Sequence, residues 1–419
     1  MQPDGLAPAN NSALAVLRFG LVGFAAWLPG CTNPSNGVDD STQVGETDQS
    51  ESGQESSESA GESETGEPDP IRYELAGPHP VGNIFFDLAD PAGSRTLRIE
   101  LWYPASESAQ ARSAAGQPLG AFVTEGSEAA SLAALVDVAP DECVRKHSRS
   151  AAGPGLASLS ERWPTVVFSH CHGCARFSSF SLAEHLASHG FLVAAVDHVG
   201  SSLFDELAGS LPPLDQATLE QRRDDVIRVI DELLDPAASS LPLAFVGLAD
   251  PDRLGVFGHS FGAITTGIVL QDDPRPRAGV AIAAPIESPL LPGVTMAGID
   301  EPLLLVIAVE DNSITEFGNN AIRTNFSVAT RPVWKLEFAD TGHFAFSDLV
   351  GLNDHFAAGC GDAERQTNGE PFSYADPFVV RSLAAGRIAA FFALHLLGDE
   401  HGRAQLEAED PLLHVDVRD

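Results

Sequence analysis

The stretch of this chain best equipped for chemistry is Gly258-His259-Ser260-Phe261-Gly262. It follows the apolar run Arg253-Leu254-Gly255-Val256-Phe257 and precedes a helix-like run from Ala263 to Gln271, so it reads as strand, sharp turn, helix. A serine hydroxyl is a weak nucleophile unless it stands proud of the backbone, close to a base and beside amide donors. A tight turn at a strand end gives that placement, and the flanking glycines are needed because a Cβ there meets the neighbouring strand and helix. A second cluster, His170-Cys171-His172-Gly173-Cys174, sets two histidines and two cysteines side by side. Structural zinc sites use ligand pairs separated in sequence, and four ligands packed this tightly wrap a tetrahedron poorly. The loop therefore reads as a turn clamped by a Cys171–Cys174 disulfide, with no metal expected.

Both clusters need strands to hold them. Asn83 to Leu88 and Arg95 to Tyr103 read as an antiparallel pair at a sheet edge, the second with apolar-polar alternation. Short apolar strands then alternate with helices. Thr165 to Ser169, a helix near Ser178 to Ser188, Phe191 to Asp197 and a helix from Leu214 to Leu234 lead to Arg253 to Gly258. Ala278 to Ala283, Leu303 to Val309, a helix near Phe317 to Phe326, Val333 to Phe338 and a last helix from Asp376 to Leu397 follow. This order predicts an α/β fold with a mostly parallel central sheet covered on both faces, whose chemistry sits at the carboxyl ends of the strands. Residues 105–162 are rich in Ala, Ser and Gly and weakly periodic, and read as an insertion near the site entrance. Residues 401–419 read as a polar C-terminal tail.

Ahead of the globular region, which spans 71–400, the chain changes character twice. Arg18 precedes an apolar run from Phe19 to Leu28 that has the size of a signal-peptide core and is too short for an ordinary membrane span. It ends in Leu28-Pro29-Gly30-Cys31, which resembles the lipobox of bacterial lipoproteins, so residues 1–30 are expected to be a leader and Cys31 a lipidated N-terminus. Residues 31–70 hold eleven acids, no Lys or Arg and almost no large apolar side chain, which describes a disordered acidic tether. The formal charge of -35 is spread over the rest as well, and it repels phosphate backbones, so nucleic acid is excluded as a partner. Export permits disulfides. The four cysteines after Cys31 allow three pairings, of which Cys171–Cys174 with Cys143–Cys360 is the one expected.

With Gly258 to Gly262 set on this order of strands, residues 80 to 400 resemble the α/β-hydrolase superfamily, and within it the bacterial branch near platelet-activating-factor acetylhydrolases, dienelactone hydrolases and polyester-hydrolase-like esterases. The resemblance implies a triad in the order Ser, acid, His. The strand Leu303 to Val309 runs into Glu310-Asp311, and likeness to esterases with a similar acidic turn selects Asp311, with Glu310 in reserve because a one-residue shift reverses the facing side chain. In the acetylhydrolase branch the acid lies one strand earlier, where this chain has no carboxylate before Glu287. His343, in Thr341-Gly342-His343-Phe344 after the last strand, takes the place of the base. Ser169-His170-Cys171-His172-Gly173 matches the Ser-His-Gly-x-Gly pattern of acetylhydrolase-like enzymes except at Cys171, which makes the His172 amide, with that of Phe261, the implied oxyanion donors.

The expectation is a serine carboxylic-ester hydrolase that needs no cofactor. It would act outside the cytoplasm on a small-molecule or lipid ester, held at a membrane through Cys31 or, as the alternative, simply secreted. The loop from Val199 to Leu214, with residues 105–162, is a candidate roof for an apolar acyl pocket. An inactive surface-binding scaffold, and an acyltransferase or peptidase with the same triad, are the alternatives.

Overall fold

The computed structural model of the protein describes residues 71–89, 95–123 and 126–419. The expected leader (1–30), Cys31 and the acidic tether (31–70) lie outside the described residues.

Strands β1 (Val81–Ala89), β2 (Thr96–Pro104), β3 (Ser150–Ala152), β4 (Trp163–Ser169), β5 (Leu192–Val196), β6 (Ala249–His259), β7 (Ala278–Ile282), β8 (Leu303–Ala308) and β9 (Val333–Phe338) are followed by a short hairpin, β10 (Asp362–Glu364) and β11 (Pro371–Ser373), and by β12 (Leu413–Arg418). All but the hairpin form one ten-stranded sheet in the order β12-β9-β8-β7-β6-β4-β5-β2-β1-β3. The six strands from β9 to β5 are parallel to one another, β12 runs antiparallel to β9, β2 runs antiparallel to both β5 and β1, and β3 pairs with β1 in parallel. Helices α1 (Gln110–Ala115), α2 (Gly126–Val138), α3 (Phe180–Ser188), α4 (Leu203–Leu207), α5 (Gln216–Leu234), α6 (Phe261–Asp272), α7 (Thr315–Val328), α8 (Pro377–Phe392) and α9 (His401–Leu406) surround it.

The sheet is covered on both sides because its strands are apolar on both sides. Val166 and Phe168 of β4, with Leu304 and Val306 of β8, pack with α3 and α8. Val167, Leu303, Leu305 and Ile307 pack on the opposite face with α5 and α6. Each such side chain, fully buried, contributes about 1.5–3 kcal/mol relative to exposure. Helix α5 is amphipathic, with Leu219, Val226, Val229, Ile230 and Leu233 on its inner face, and its first turn is capped by Asp215 accepting from Thr218 N. The stretch Pro377–Leu397 is long and apolar enough to cross a membrane, yet most of it is buried inside the protein.

Chain order fixes where a site can form. After β4 the chain crosses to β5 on one side and then returns to β6 on the other, so the strand order reverses at β4. A crevice opens at such a switch point beyond the carboxyl ends of the strands. Ser169 pairs with Gly258 in register, which sets the loop after β4 beside the turn after β6.

Two expectations need correction. The segment 401–419 is not a tail: it forms α9 and then β12, which pairs with β9 from Leu413↔Phe338 to Arg418↔Val333. Its alternation Leu413, Val415, Val417 is the strand signal, and both valines pack on the core. The described residues of the segment 105–162 do not line the cavity at Ser260. They carry α1, α2 and β3, cover the β1–β2 end, and place Phe122 flat against Phe177 at 5.2 Å. Cys143 is joined to Cys360, tying this segment to the loop beyond His343, and Cys171 is joined to Cys174.

Candidate active site

Ser260 sits between the end of β6 and the start of α6 with φ 58° and ψ -120°, a conformation that costs a non-glycine residue on the order of 1–3 kcal/mol. Its neighbours hold it there. Ser260 N donates to Ile282 O at 2.7 Å, and Ala263 N donates to Ser260 O at 2.8 Å. A Cβ on Gly262 would lie 1.9 Å from the Ser169 carbonyl oxygen, and one on Gly258 would lie 2.1 Å from that of Gly262. Glycine at both positions lets the helix start, the strand end and the loop after β4 meet.

Ser260 Oγ lies 2.8 Å from His343 Nε2, and His343 Nδ1 lies 2.7 Å from Asp311 Oδ2. Asp311 and His343 are buried. The other carboxylate oxygen of Asp311 accepts from Ser313 N and Ile314 N at 2.8 and 2.9 Å, which fixes the carboxylate plane. Glu310 is turned away. Its oxygens are taken by Arg365 Nη1 at 2.8 Å and Gln366 N at 3.0 Å, so the reserve acid is a structural ion pair. The register of β8 decides this, because successive side chains face opposite ways.

His259 stacks near His343, with ring centroids 5.0 Å apart, and its Nε2 donates to the His343 carbonyl oxygen at 2.8 Å. Burial, followed by the nearby His343, pushes its imidazole down to about 3, so it stays neutral while it supports the backbone of the His343 loop. His355, on the loop beyond His343, donates from Nε2 to His172 O at 3.1 Å and so joins that loop to the one after β4.

The backbone N–H groups of Phe261 and His172 donate to no other group among the described residues. His172 and Ser260 line the same cavity of about 270 Å³, with Leu214, Phe261, Ile264, Leu291, Ile314 and Phe317. Among the described residues, Leu214 is the one member of the expected roof that borders this cavity; Leu203, at the start of α4, is buried elsewhere, and no described residue of 105–162 lines the cavity. The walls that sequence reading missed are the turn Pro285 to Leu291 and the start of α7. Among the described residues no group of three His, Cys, Asp or Glu is placed to hold a metal.

A relay from hydroxyl to imidazole to carboxylate, beside two free amides, is the arrangement of acyl transfer. Residues 70–206 match the family described as "Platelet-activating factor acetylhydrolase, isoform II"; the match includes the loop after β4 and ends before Ser260. The platelet-activating factor acetylhydrolase of Bos taurus is 31% identical over 157 residues, which are 30% of this chain and 35% of that protein. That of Gallus gallus is 26% identical over 199 residues, 38% of this chain and 46% of the relative. The matches thus span about a third to under half of the relatives' own length. A solved ferulic acid esterase from Streptomyces cinnamoneus superposes with a TM-score of 0.55 at 22% identity, covering 82% of this chain and 98% of the esterase. The chain has the α/β-hydrolase fold. In such an arrangement the acid is identified by geometry and not by its place in the sequence, and the carboxylate in contact with His343 is that of Asp311.

Two outcomes follow from these contacts. Asp311→Asn should lower acyl turnover by about 10³–10⁴, whereas Glu310→Gln should change it by less than about threefold; the reverse ranking in steady-state kinetics would exchange their roles. His259 has a folded value of about 3 against an ordinary value of 6.5, so the unfolded chain takes the proton first and its contribution to stability is lost as pH falls from 6.5 towards 3. His259→Gln, which takes no proton, should therefore be less stable than the wild type at pH 8. Urea midpoints should show that gap narrowing steadily below pH 6.5.

Proposed function

We propose that this protein is a serine carboxylic-ester hydrolase acting through an acyl-enzyme on short-chain or lipid-like esters outside the cytoplasm. The observation that carries the reading is the Ser260–His343–Asp311 relay beside the unpaired amides of Phe261 and His172. Partial likeness to acetylhydrolases and the fold of a solved esterase support the same class.

His343 Nε2 takes the proton of Ser260 as Oγ attacks the ester carbonyl, and Asp311 stabilises the resulting imidazolium while holding the tautomer. The amides of Phe261 and His172 receive the negative charge on the carbonyl oxygen, aided by the positive end of α6. The imidazolium then gives its proton to the departing alcohol, and water repeats the sequence on the acyl-enzyme. A cavity of about 270 Å³ with walls of Leu, Ile, Phe and Pro favours compact apolar acyl groups over charged ones. The apolar leader and Cys31 support export and a lipid anchor, and the acidic tether would stand the folded domain off the membrane.

Wild-type protein should take up one equivalent of a fluorophosphonate and hydrolyse p-nitrophenyl acetate and butyrate, and Ser260→Ala should lose both, with turnover down by about 10⁴–10⁶. Folded wild-type protein that resists the probe would indicate a binding scaffold instead. For the anchor, mature protein from a native-like host should partition with membranes and Cys31→Ala should not; a variant that stays membrane-bound would remove the lipid from the account.

A further inference from the structure

The loop after β4 and the start of α6 each provide one amide to the proposed oxyanion hole, and the two belong to separate strands. Between them lies Arg222 of α5, whose side chain has no exposed surface. Its Nε donates to Thr265 Oγ1 at 3.2 Å and its Nη1 to Ser201 Oγ at 3.0 Å. Nη2 donates to Ser169 Oγ at 3.2 Å and to the His170 carbonyl oxygen. The guanidinium also lies 4.7 Å over the Phe261 ring. Among the described residues no carboxylate pairs with it: Asp225, the acid whose charge bears on it, has its oxygens on Arg95 and His198.

A guanidinium only donates, so every hydroxyl it reaches must accept from it and turn its own proton outward. Thr265 Oγ1 therefore donates to Phe261 O at 2.9 Å, fixing the first turn of α6. Ser201 Oγ donates to His172 Nδ1 at 2.9 Å, which leaves His172 neutral with its Nε2 proton free for the Pro212 carbonyl. Ser169 Oγ donates to His198 Nε2 at 2.9 Å, and His198 Nδ1 donates to Asp225 at 3.0 Å. That Ser169-His198-Asp225 array has the residue types of a triad but is wholly buried, so it is scaffold. One cation thus sets the proton direction in three chains, and two of them end on the residues whose amides face Ser260.

We propose that Arg222 is the positioning residue of the oxyanion hole: its guanidinium holds the His172 and Phe261 amides at their mutual spacing through Ser201 and Thr265. This rests on the esterase reading above. An unpaired cation is costly to bury, and this one is held by groups from both segments that carry the two amides.

The test compares Arg222→Met, Ser201→Ala and Thr265→Val with the wild type, each normalised to active sites titrated with a fluorophosphonate. Arg222→Met should lower kcat by about 10²-fold with KM within about threefold, the signature of a lost oxyanion contact. Affinity for a trifluoromethyl ketone, whose adduct on Ser260 carries the oxyanion, should fall in parallel with kcat. A purely structural role would lower the melting temperature and the titratable fraction without moving either of those. Ser201→Ala and Thr265→Val should each cost about tenfold in kcat, and adding either to Arg222→Met should cost nothing more, because they act along the same path. Folded Arg222→Met with unchanged kcat and ketone affinity, or a loss confined to KM, overturns the proposal. Should Arg222→Met not fold, unchanged kcat in both hydroxyl variants overturns it equally. Wild-type protein that hydrolyses no ester overturns the esterase reading and this proposal together, whereas wild-type turnover with an unaffected Arg222→Met overturns this one alone.

Discussion

The whole site depends on a close approach of backbone to backbone. Gly262 of α6 sits against the Ser169 carbonyl at the end of β4, where any side chain would collide. That contact fixes how deeply the helix seats into the sheet, and through it the height of Ser260 above the strand ends. It also sets the distance between the two segments that present free amides. The strain at Ser260 is tolerated because the parallel pairing of β6 with β4 and β7 leaves the turn no alternative path.

Around this contact the protein keeps its histidines neutral. His170, His172, His198 and His259 are all pushed below their ordinary value, with burial the largest cause in each. A neutral ring can donate from one nitrogen and accept at the other: His170 accepts the His198 N–H at 3.1 Å while its other nitrogen contacts the Cys171 carbonyl. Cationic rings here would meet Arg222 and one another at short range in a site shielded from water. Neutral rings leave Arg222 as the cation shared by the loop after β4 and the start of α6.

The site's central members were legible in the sequence because each follows a short apolar strand, and strand ends are well marked by pattern. Ser260 is read from its turn, Asp311 and His343 from the strand ends to which the resemblance directs attention, and the structure brings the three together. Helix α5 shows the opposite case. Arg222 and Asp225 fall at helical spacing with Leu219, Val226 and Val229 on the buried face, yet in the run Glu-Gln-Arg-Arg-Asp-Asp they look like solvated charges. Sequence does not say which of two adjacent arginines points inward when each is flanked by acids; here Arg223 pairs with Asp224 and Asp272 at the surface. The pocket walls from Pro285 to Leu291 were illegible for a different reason. They form a loop without periodicity, which meets α7 through hydrogen bonds between Glu287 and Asn325, residues that lie 38 positions apart in sequence.

The strand β12 bears on more than the length of the sheet. A sheet that stops at an exposed, flat apolar strand offers its free N–H and C=O groups to any passing chain. Here one border is the three-residue β3, too short to template much. The other is β12, whose sequence Leu-His-Val-Asp-Val-Arg sets a charge or an imidazole at every second position, with Asp416 held by Lys335 at 2.7 Å. Both borders are poor partners for a second molecule. Copies crowded side by side therefore find little to zip together, and the last strand protects colloidal independence as much as it completes the fold.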